Sequence, residues 1–379
     1  MIKFIFGGDK MNFDALEKYI DSLYSKGIVA CDLAVSYKGK TVFRKSAGFS
    51  DIEKKTPVSN KDKYWIYSST KPITAAASMQ LIEKGKISID DELCKYLPAY
   101  EKMSVFNGQE IVPAKNKIKI KDLLTMTAGF SYDLTAEAIV KAREKNPLAS
   151  TREMIDALAK QPLLFEPSEK FNYSLCLDVM GAVIEVVSGM SLGEYFKKNI
   201  FEPLRMNNTG FAPNSKRPDN MSSQYWYIPE EQKSSVIECT NAFILSEGFE
   251  SGGAGLYSTT DDYLKFVTAM SSPENPILKK ESVEFMSKDW LSESCKKDFD
   301  LINKKGYSYG FGVRTLVDKE ASKSPIGEFG WDSAGGAFNL MDIKNELGIV
   351  YFQNIHNCTY AFDKIHYDIR DAVYTALNI

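Results

Sequence analysis

Tyr64-Trp-Ile-Tyr-Ser68-Ser-Thr-Lys71-Pro-Ile-Thr-Ala-Ala-Ala77 is the segment from which the rest of the chain can be read. A serine three residues before a lysine on a helix sets hydroxyl and amine on one face, one turn apart. A serine hydroxyl is a weak nucleophile until a neighbouring base takes its proton. A lysine can be that base once desolvation favours its neutral form. The positive end of the helix dipole favours both the neutral amine and a developing oxyanion. Spacing alone does not separate this pair from a capped helix start with a surface lysine, and the same spacing recurs at Ser294-Cys-Lys-Lys297. That second copy reads as a charged, flexible loop, which cannot desolvate a lysine. Around Ser68 stand Trp65, Ile66 and Tyr67 on one side and Ala75-Ala-Ala77 on the other, the composition of a buried helix. A lysine on a buried helix needs a reason.

The chain has 379 residues, of which 44% are hydrophobic, 26% charged and 12% aromatic. This is a globular composition, and it excludes disordered, collagen-like and disulfide-scaffold classes. The length suggests two domains, or one with a large insertion. With 47 Lys+Arg against 50 Asp+Glu there is no positive surplus to neutralise phosphates, so no nucleic-acid partner is expected. Cys31, Cys94, Cys176, Cys239, Cys295 and Cys358 are scattered without a C-x-x-C and read as buried, reduced thiols. His356 and His366 are the two histidines, which excludes a multi-histidine metal centre. The apolar stretch of Met1-Ile-Lys-Phe-Ile-Phe6 is too short for a signal-peptide core. Nor is there a run of about 18 apolar residues that would span a membrane. The expectation is a cytoplasmic protein with no membrane partner. Met11 is an alternative start, which would leave residues 1–10 irrelevant to the fold.

Leu16, Tyr19, Ile20 and Leu23 recur at helical spacing over residues 13–27. Asp32-Leu-Ala-Val-Ser-Tyr37 and Thr41-Val-Phe-Arg-Lys-Ser46, separated by Lys38-Gly39-Lys40, predict a hairpin. Ala337–Met341 and Leu347–Phe352 predict strands flanking a turn at Lys344-Asn345, and a helix follows over about 361–377. Strands at both ends with helices outside them imply one antiparallel sheet built from the two termini. Between them, residues 72–85, 119–126, 151–160, 176–188 and 192–198 carry helical periodicity. The fold class is therefore α/β, with residues 1–80 and 240–379 forming the sheet domain. A mostly helical domain is inserted over 81–239, and the site lies at the junction. The polar stretch 213–235, with its prolines, reads as a long and more mobile surface loop.

Three further segments carry candidate chemistry. Gly189-Met-Ser191-Leu-Gly193 has the spacing of a nucleophile elbow, but an elbow needs a strand before its serine. Here a helical pattern precedes it, so Gly189 reads as a helix C-cap and Ser191 with Glu194 as a capping box. Tyr173, in Phe165-Glu-Pro-Ser-Glu-Lys-Phe-Asn-Tyr-Ser-Leu175, is by itself as well explained as a loop or core tyrosine. Glu328-Phe-Gly-Trp331-Asp-Ser-Ala334-Gly-Gly336 leads into a strand, and its glycines permit close backbone approach and an oxyanion site, or simply a bulge.

Taken in order, these segments resemble the serine β-lactamase-like family, which comprises class C β-lactamases, penicillin-binding D,D-peptidases and family VIII carboxylesterases. The resemblance runs from Ala47-Gly-Phe-Ser-Asp-Ile-Glu-Lys-Lys-Thr-Pro-Val58 to the C-terminal hairpin. Ile118-Lys-Ile-Lys-Asp-Leu-Leu-Thr-Met-Thr-Ala-Gly-Phe130 is similar to the family's ITIRDLLTHTSGL segment, with Met126 and Ala128 in place of its His and Ser. Gly252-Gly-Ala-Gly-Leu-Tyr-Ser-Thr-Thr-Asp-Asp-Tyr263 is similar to its Gly-rich loop and following helix.

The resemblance implies a β-lactamase/transpeptidase-like fold with Ser68 as acyl-accepting nucleophile, Lys71 as its activating partner and Tyr173 as proton shuttle. It implies an oxyanion hole from the Ser68 and Ala334 N–H groups, and a substrate site at Leu175, Trp331, Asp332, Ser333, Gly252 and Gly253. Leu175 replaces the asparagine of the family's Y-x-N motif, and Trp331-Asp332-Ser333 replaces Lys-Thr-Gly. The acid at 332 is expected to repel anionic lactams, and the Ser333 side chain to stand beside the oxyanion hole and weaken or alter activity. These changes resemble family VIII esterases more than lactamases.

The expected activity is hydrolysis of small carboxylic esters through an acyl-enzyme on Ser68, with no metal or organic cofactor. The cleft is expected to be lined by aromatic groups such as Tyr67, Tyr225, Trp226 and Trp331. The partner is a small-molecule ester or lactam-like substrate. The alternatives are a β-lactamase or D,D-peptidase-type amidohydrolase, and a non-catalytic ligand-binding protein on a degenerate hydrolase scaffold.

Overall fold

The computed structural model describes residues 5–6, 9–300 and 305–379. Residues 1–4, on which the leader reading partly rests, lie outside them. Ile5–Phe6 and Asp9–Lys10 pair only with each other, in a two-stranded ladder.

The hydrophobic runs at the two ends of the chain build an eight-stranded antiparallel sheet. Its order is Tyr307–Tyr309, Arg314–Leu316, Phe329–Asp332, Phe338–Asp342, Leu347–Phe352, Ala30–Tyr37, Lys40–Asp51 and Thr56–Pro57. The ends meet where Leu347–Phe352 lies against Ala30–Tyr37, in register from Leu347↔Tyr37 to Phe352↔Asp32. The predicted hairpin turn is made by Lys38 and Gly39, with φ of 49° and 74°. Two successive positive φ values suit the right-handed twist of the flanking strands.

Both faces of the sheet are covered, so its central strands are buried throughout rather than alternating with polar residues. Period-2 alternation still sorts the side chains into two cores. Leu347, Ile349 and Tyr351 join Leu33 and Val35 under the helices Asp14–Ser22 and His366–Leu377. Val350 and Phe352 join Ala34 on the other face, with Phe266, Val267 and Met270 of the helix Thr260–Ser271.

The helix Thr70–Glu83 belongs to that second core and is buried from Thr70 to Leu81 on every side. A helix that is apolar all round must be surrounded. Ile120–Leu124, Thr151–Leu158, Cys176–Ser188 and Leu192–Phe196 supply that surround, directly or through one another. Its small Ala75–Ala77 segment lets neighbours approach closely. Pro72 sits in the first turn, where no intrahelical N–H is lost.

Three local expectations change. The stretch 213–235 is not a long loop, because Gln224–Ile228 and Lys233–Ile237 form a hairpin and the first of these strands pairs with Ile355–His356. Tyr225 is fully buried beneath it, and an apolar anchor of that size outweighs the neighbouring prolines. Ser294–Lys297 lies in the helix Glu293–Asp300 rather than in a loop. Lys297 nevertheless faces water, so the pair still has no desolvated amine. The helix Glu137–Lys145 escaped the periodicity reading because Ile139 is its one buried residue.

Four of the cysteines, Cys31, Cys176, Cys295 and Cys358, are buried, whereas Cys94 and Cys239 are only half-buried, and none is disulfide-bonded. No single helix among the described residues is long and apolar enough to cross a membrane.

Ser191 is a helix cap. Its side chain accepts the Glu194 N–H and the Glu194 side chain reaches back to the Ser191 N–H, while Gly189 closes the preceding helix at φ 71°. Ser191→Ala should therefore lower unfolding stability by about 1 kcal/mol, read from urea denaturation.

Candidate active site

Tyr67 is a bulky residue at φ 42°, where the chain turns from the strand Tyr64–Trp65 into the Ser68 turn. A left-handed conformation at such a residue persists only when its surroundings hold it. The Tyr67 ring packs edge-on against Phe243 and His356. Its hydroxyl accepts from Gln224 Nε2 and lies 3.1 Å from His356 Nε2. Burial pushes the Tyr67 hydroxyl pKa up and the His356 pKa below its ordinary value, so His356 is neutral near pH 7.

The turn then delivers three groups to one point. Tyr173 OH donates to Ser68 Oγ at 2.7 Å, and Lys71 Nζ donates to the same oxygen at 3.3 Å. Lys71 is wholly buried, and its amine also reaches Gly253 O at 2.8 Å and Tyr132 OH at 3.4 Å. The Tyr173 ring lies between Tyr132 (centroids 5.5 Å apart, 13° between planes) and Trp331 (5.3 Å, 22°). Trp331 Nε1 donates to Tyr173 OH at 3.0 Å, which turns the phenol proton toward Ser68. Burial raises the Tyr132 pKa well above its ordinary value, so Tyr132 stays a neutral hydroxyl beside Lys71.

The opposite wall is the end of Phe329–Asp332 and the turn after it. Ser333 N–H donates to Ala337 O at 2.9 Å and Gly336 N–H to Ser333 O at 2.8 Å, leaving Ala334 at the exposed tip. Ser333 Oγ accepts the Ser69 N–H at 2.7 Å and donates to Ile66 O at 2.8 Å, tying this turn to the start of the Ser68 helix. Asn339 holds the strand edge, accepting from Trp331 N–H at 3.0 Å and donating to Ser69 Oγ at 3.2 Å.

Asp332 lies 3.4 Å from the Arg314 guanidinium and 3.8 Å from His366 Nδ1. Burial disfavours the Arg314 charge, yet Asp332 and Glu328 hold its pKa above the ordinary value. The whole encloses a cleft of about 380 Å³ lined by Ser68, Tyr132, Tyr173, Phe243, Trp331, Asp332, Ser333, Ala334 and Phe362.

Over residues 14–372 the sequence matches the profile of the Beta-lactamase family. The chain belongs to that family. Among its relatives is Esterase EstB of Burkholderia gladioli, 25% identical over 362 residues that cover 88% of each chain. The solved structure of EstCE1, a hydrolase with promiscuous acyltransferase activity, superposes with a TM-score of 0.80 at 25% identity, covering 94% of this chain and 97% of EstCE1. Simvastatin Synthase (LovD) of Aspergillus terreus shares the fold, with a TM-score of 0.80 at 20% identity over 96% of this chain and 98% of LovD. This Beta-lactamase-family chain thus has the β-lactamase/transpeptidase-like fold expected from its motifs, and its relatives include esterases.

The cleft brings together Ser68, Tyr173, Trp331, Asp332, Ser333 and Ala334, with Lys71 directly beneath Ser68. Leu175, Gly252 and Gly253 are not among its lining residues and lie behind it. Leu175 is buried in the core at the head of the helix Cys176–Ser188. Gly252 O accepts from Thr74 Oγ1 at 2.6 Å, and Gly253 O accepts from Lys71. The Ser333 side chain lines the cleft, with its hydroxyl bonded to Ser69 and Ile66. Asp332 lines it too, with Arg314 set against its charge.

Of the aromatics named in advance, Trp331 lines the cleft and Tyr67 supports Ser68 from behind. Tyr225 is buried in the other core and Trp226 is exposed, and neither is among the lining residues. Sequence reasoning missed Tyr132, Phe243 and Phe362. Tyr132 was within reach, two residues after the Ile118–Phe130 segment. Phe243 and Phe362 carry no local signal, because a remote loop brings in the first and the helical turn Ala361–Ile365 the second.

Ser333→Ala removes its bonds to the Ser69 N–H and Ile66 O, which still bond each other at 2.9 Å, so it should cost about 1 kcal/mol of stability, measured by urea unfolding. His356→Ala removes a neutral support rather than a proton carrier. Turnover, followed with a chromogenic ester, should stay within about tenfold of wild type.

Proposed function

We propose that this protein hydrolyses small, neutral carboxylic esters through an acyl-enzyme on Ser68. The observation that carries the reading is a serine oxygen receiving two donors, Tyr173 OH and a fully buried lysine amine, at the floor of an aromatic cleft. A nucleophile and base within hydrogen-bond reach, with the base held by further groups, is the arrangement covalent catalysis needs.

In this mechanism Ser68 Oγ attacks the ester carbonyl and its proton passes to the Lys71–Tyr173 pair. The carbonyl oxygen becomes an oxyanion received by the Ser68 and Ala334 N–H groups. The tetrahedral adduct collapses, the C–O bond to the alcohol breaks, and Tyr173 returns the proton to the leaving oxygen. Water then repeats the sequence on the acyl-Ser68, releasing the acid and restoring the serine. Trp331 holds the Tyr173 oxygen throughout, and hydrogen-bond donation to that oxygen also favours any phenolate formed there.

Substrate class follows from the lining. Among the described residues that form it there is no Lys or Arg to grip a carboxylate, and its one acid is set against Arg314. A neutral acyl group packed on Phe243, Tyr132 and Phe362 fits better than an anionic β-lactam. The proposal includes a two-part organisation, with residues 1–80 and 240–379 carrying Ser68, Lys71 and the Trp331 wall, and residues 81–239 carrying Tyr132 and Tyr173.

Steady-state hydrolysis of p-nitrophenyl butyrate by wild type and Ser68→Ala tests the reading. The substitution should cost on the order of 10⁴–10⁶ in rate, and wild type incubated with the ester should gain the mass of one butyryl group. Equal rates for the two proteins would sink the acyl-enzyme on Ser68. A chromogenic cephalosporin turned over faster than the ester would favour the amidohydrolase alternative instead.

A further inference from the structure

Asp178 has no part in the mechanism above, yet it is 1% exposed and in the first turn of Cys176–Ser188, behind Lys71. Its Oδ1 accepts from Ser251 Oγ and from the Gly253 N–H at 3.2 Å, and Gly253 O in turn accepts from Lys71 Nζ at 2.8 Å. Its Oδ2 is buried without a hydrogen-bond partner. A buried carboxylate with an unsatisfied oxygen is costly. Replacing it with an apolar side chain would remove that cost, so its presence points to a use. A side chain on residue 253 would run into this carboxylate, so glycine is what allows the close approach.

We propose that Asp178 is a positioning residue for Lys71. Its carboxylate pins the Gly253 backbone that receives the Lys71 amine, and its charge steadies the proton that Lys71 takes from Ser68. The role parallels that of a third group that orients a base and stabilises its protonated form. Burial raises the Asp178 pKa and the Lys71 charge pulls it back. The other titratable groups that feel Asp178 are Tyr132 and, on its own helix, Cys176, whose thiol Asp122 of Ile120–Leu124 also influences. Burial raises the pKa of both Tyr132 and Cys176, so neither competes with Lys71 as the partner charge.

The kinetic arm of the test rests on the proposed Ser68 hydrolysis. Asp178→Asn should lower kcat/KM for p-nitrophenyl butyrate by about 10²-fold. Losing the negative charge makes the protonated amine harder to hold, so the acid limb of the kcat/KM–pH profile should move to lower pH. Asp178→Glu, which keeps the charge, should leave that limb near its wild-type position. An unshifted limb and undiminished kcat/KM in D178N would overturn the proposal.

A second arm needs no turnover. Urea midpoints are compared for wild type, D178N, K71M and the double variant K71M/D178N. If the two charges are coupled, the double variant recovers most of the midpoint lost in D178N, whereas additive losses overturn the coupling. Should D178N alone fail to fold, a folded K71M/D178N supports the pairing and an unfolded one refutes it. A wild type lacking Ser68-dependent turnover would sink the hydrolase reading, and this arm would still decide the pairing.

Discussion

A lysine amine with no exposure to water is the constraint around which this molecule is organised. Each N–H group of a lysine amine needs a partner once water is excluded. Lys71 finds them in Ser68 Oγ, Tyr132 OH and Gly253 O, contributed by its own helix, the loop after Ile120–Leu124 and the glycine loop before Leu256–Ser258. These are distant in sequence, so satisfying one side chain requires the sheet, the inserted helices and the loops to assemble together. The same contacts place the nucleophile, so stability and chemistry share one set of hydrogen bonds.

A second layer of buried polarity lies on the far side of the cleft. Arg314 meets Glu328 at 3.2 Å and Asp332 at 3.4 Å, and Tyr307 OH donates to Glu328 at 2.7 Å. Removing one member of such a group leaves an uncompensated charge, which is far more damaging than exchanging the whole set for apolar residues. The network braces the strand Phe329–Asp332, whose end carries Trp331 and Ser333. Trp331 fixes Tyr173 from that side and Ser333 fixes the start of the Ser68 helix, so the cleft walls are rigid for reasons independent of any substrate.

The pattern of the chain carried much of this. Ser68 and Lys71 stood out because an apolar, alanine-rich helix cannot hide an amine without purpose, and both termini showed hairpin patterns that belong to one sheet. Ser191 was dismissed correctly because a cap and an elbow need different flanking structure. Leu175, Gly252 and Gly253 lie outside the cleft lining, because motif position says which residues come near a site and not which way they face. In space they form the layer behind it. Asp332 and Ser333 line the cleft as their motif position implies, but their effect there is not legible locally. The consequence of a charge or a hydroxyl depends on its partners, and Arg314, Ser69 and Ile66 are invisible from residues 332 and 333 alone.

What the sequence by itself determined is the local and periodic part: the Ser68–Lys71 spacing, the helix that presents it, the caps that bound helices, and the strands whose alternation builds the sheet. Those features depend on neighbours within a turn or a strand pair. Only the tertiary structure decided which remote groups meet Lys71 and Tyr173, that Trp331 orients the tyrosine, that Arg314 answers Asp332, and that Phe243 and Phe362 close the cleft. Each of these is a contact between segments far apart in the chain, and burial, which sets the strength of every charge and hydrogen bond among them, exists only once those segments have packed.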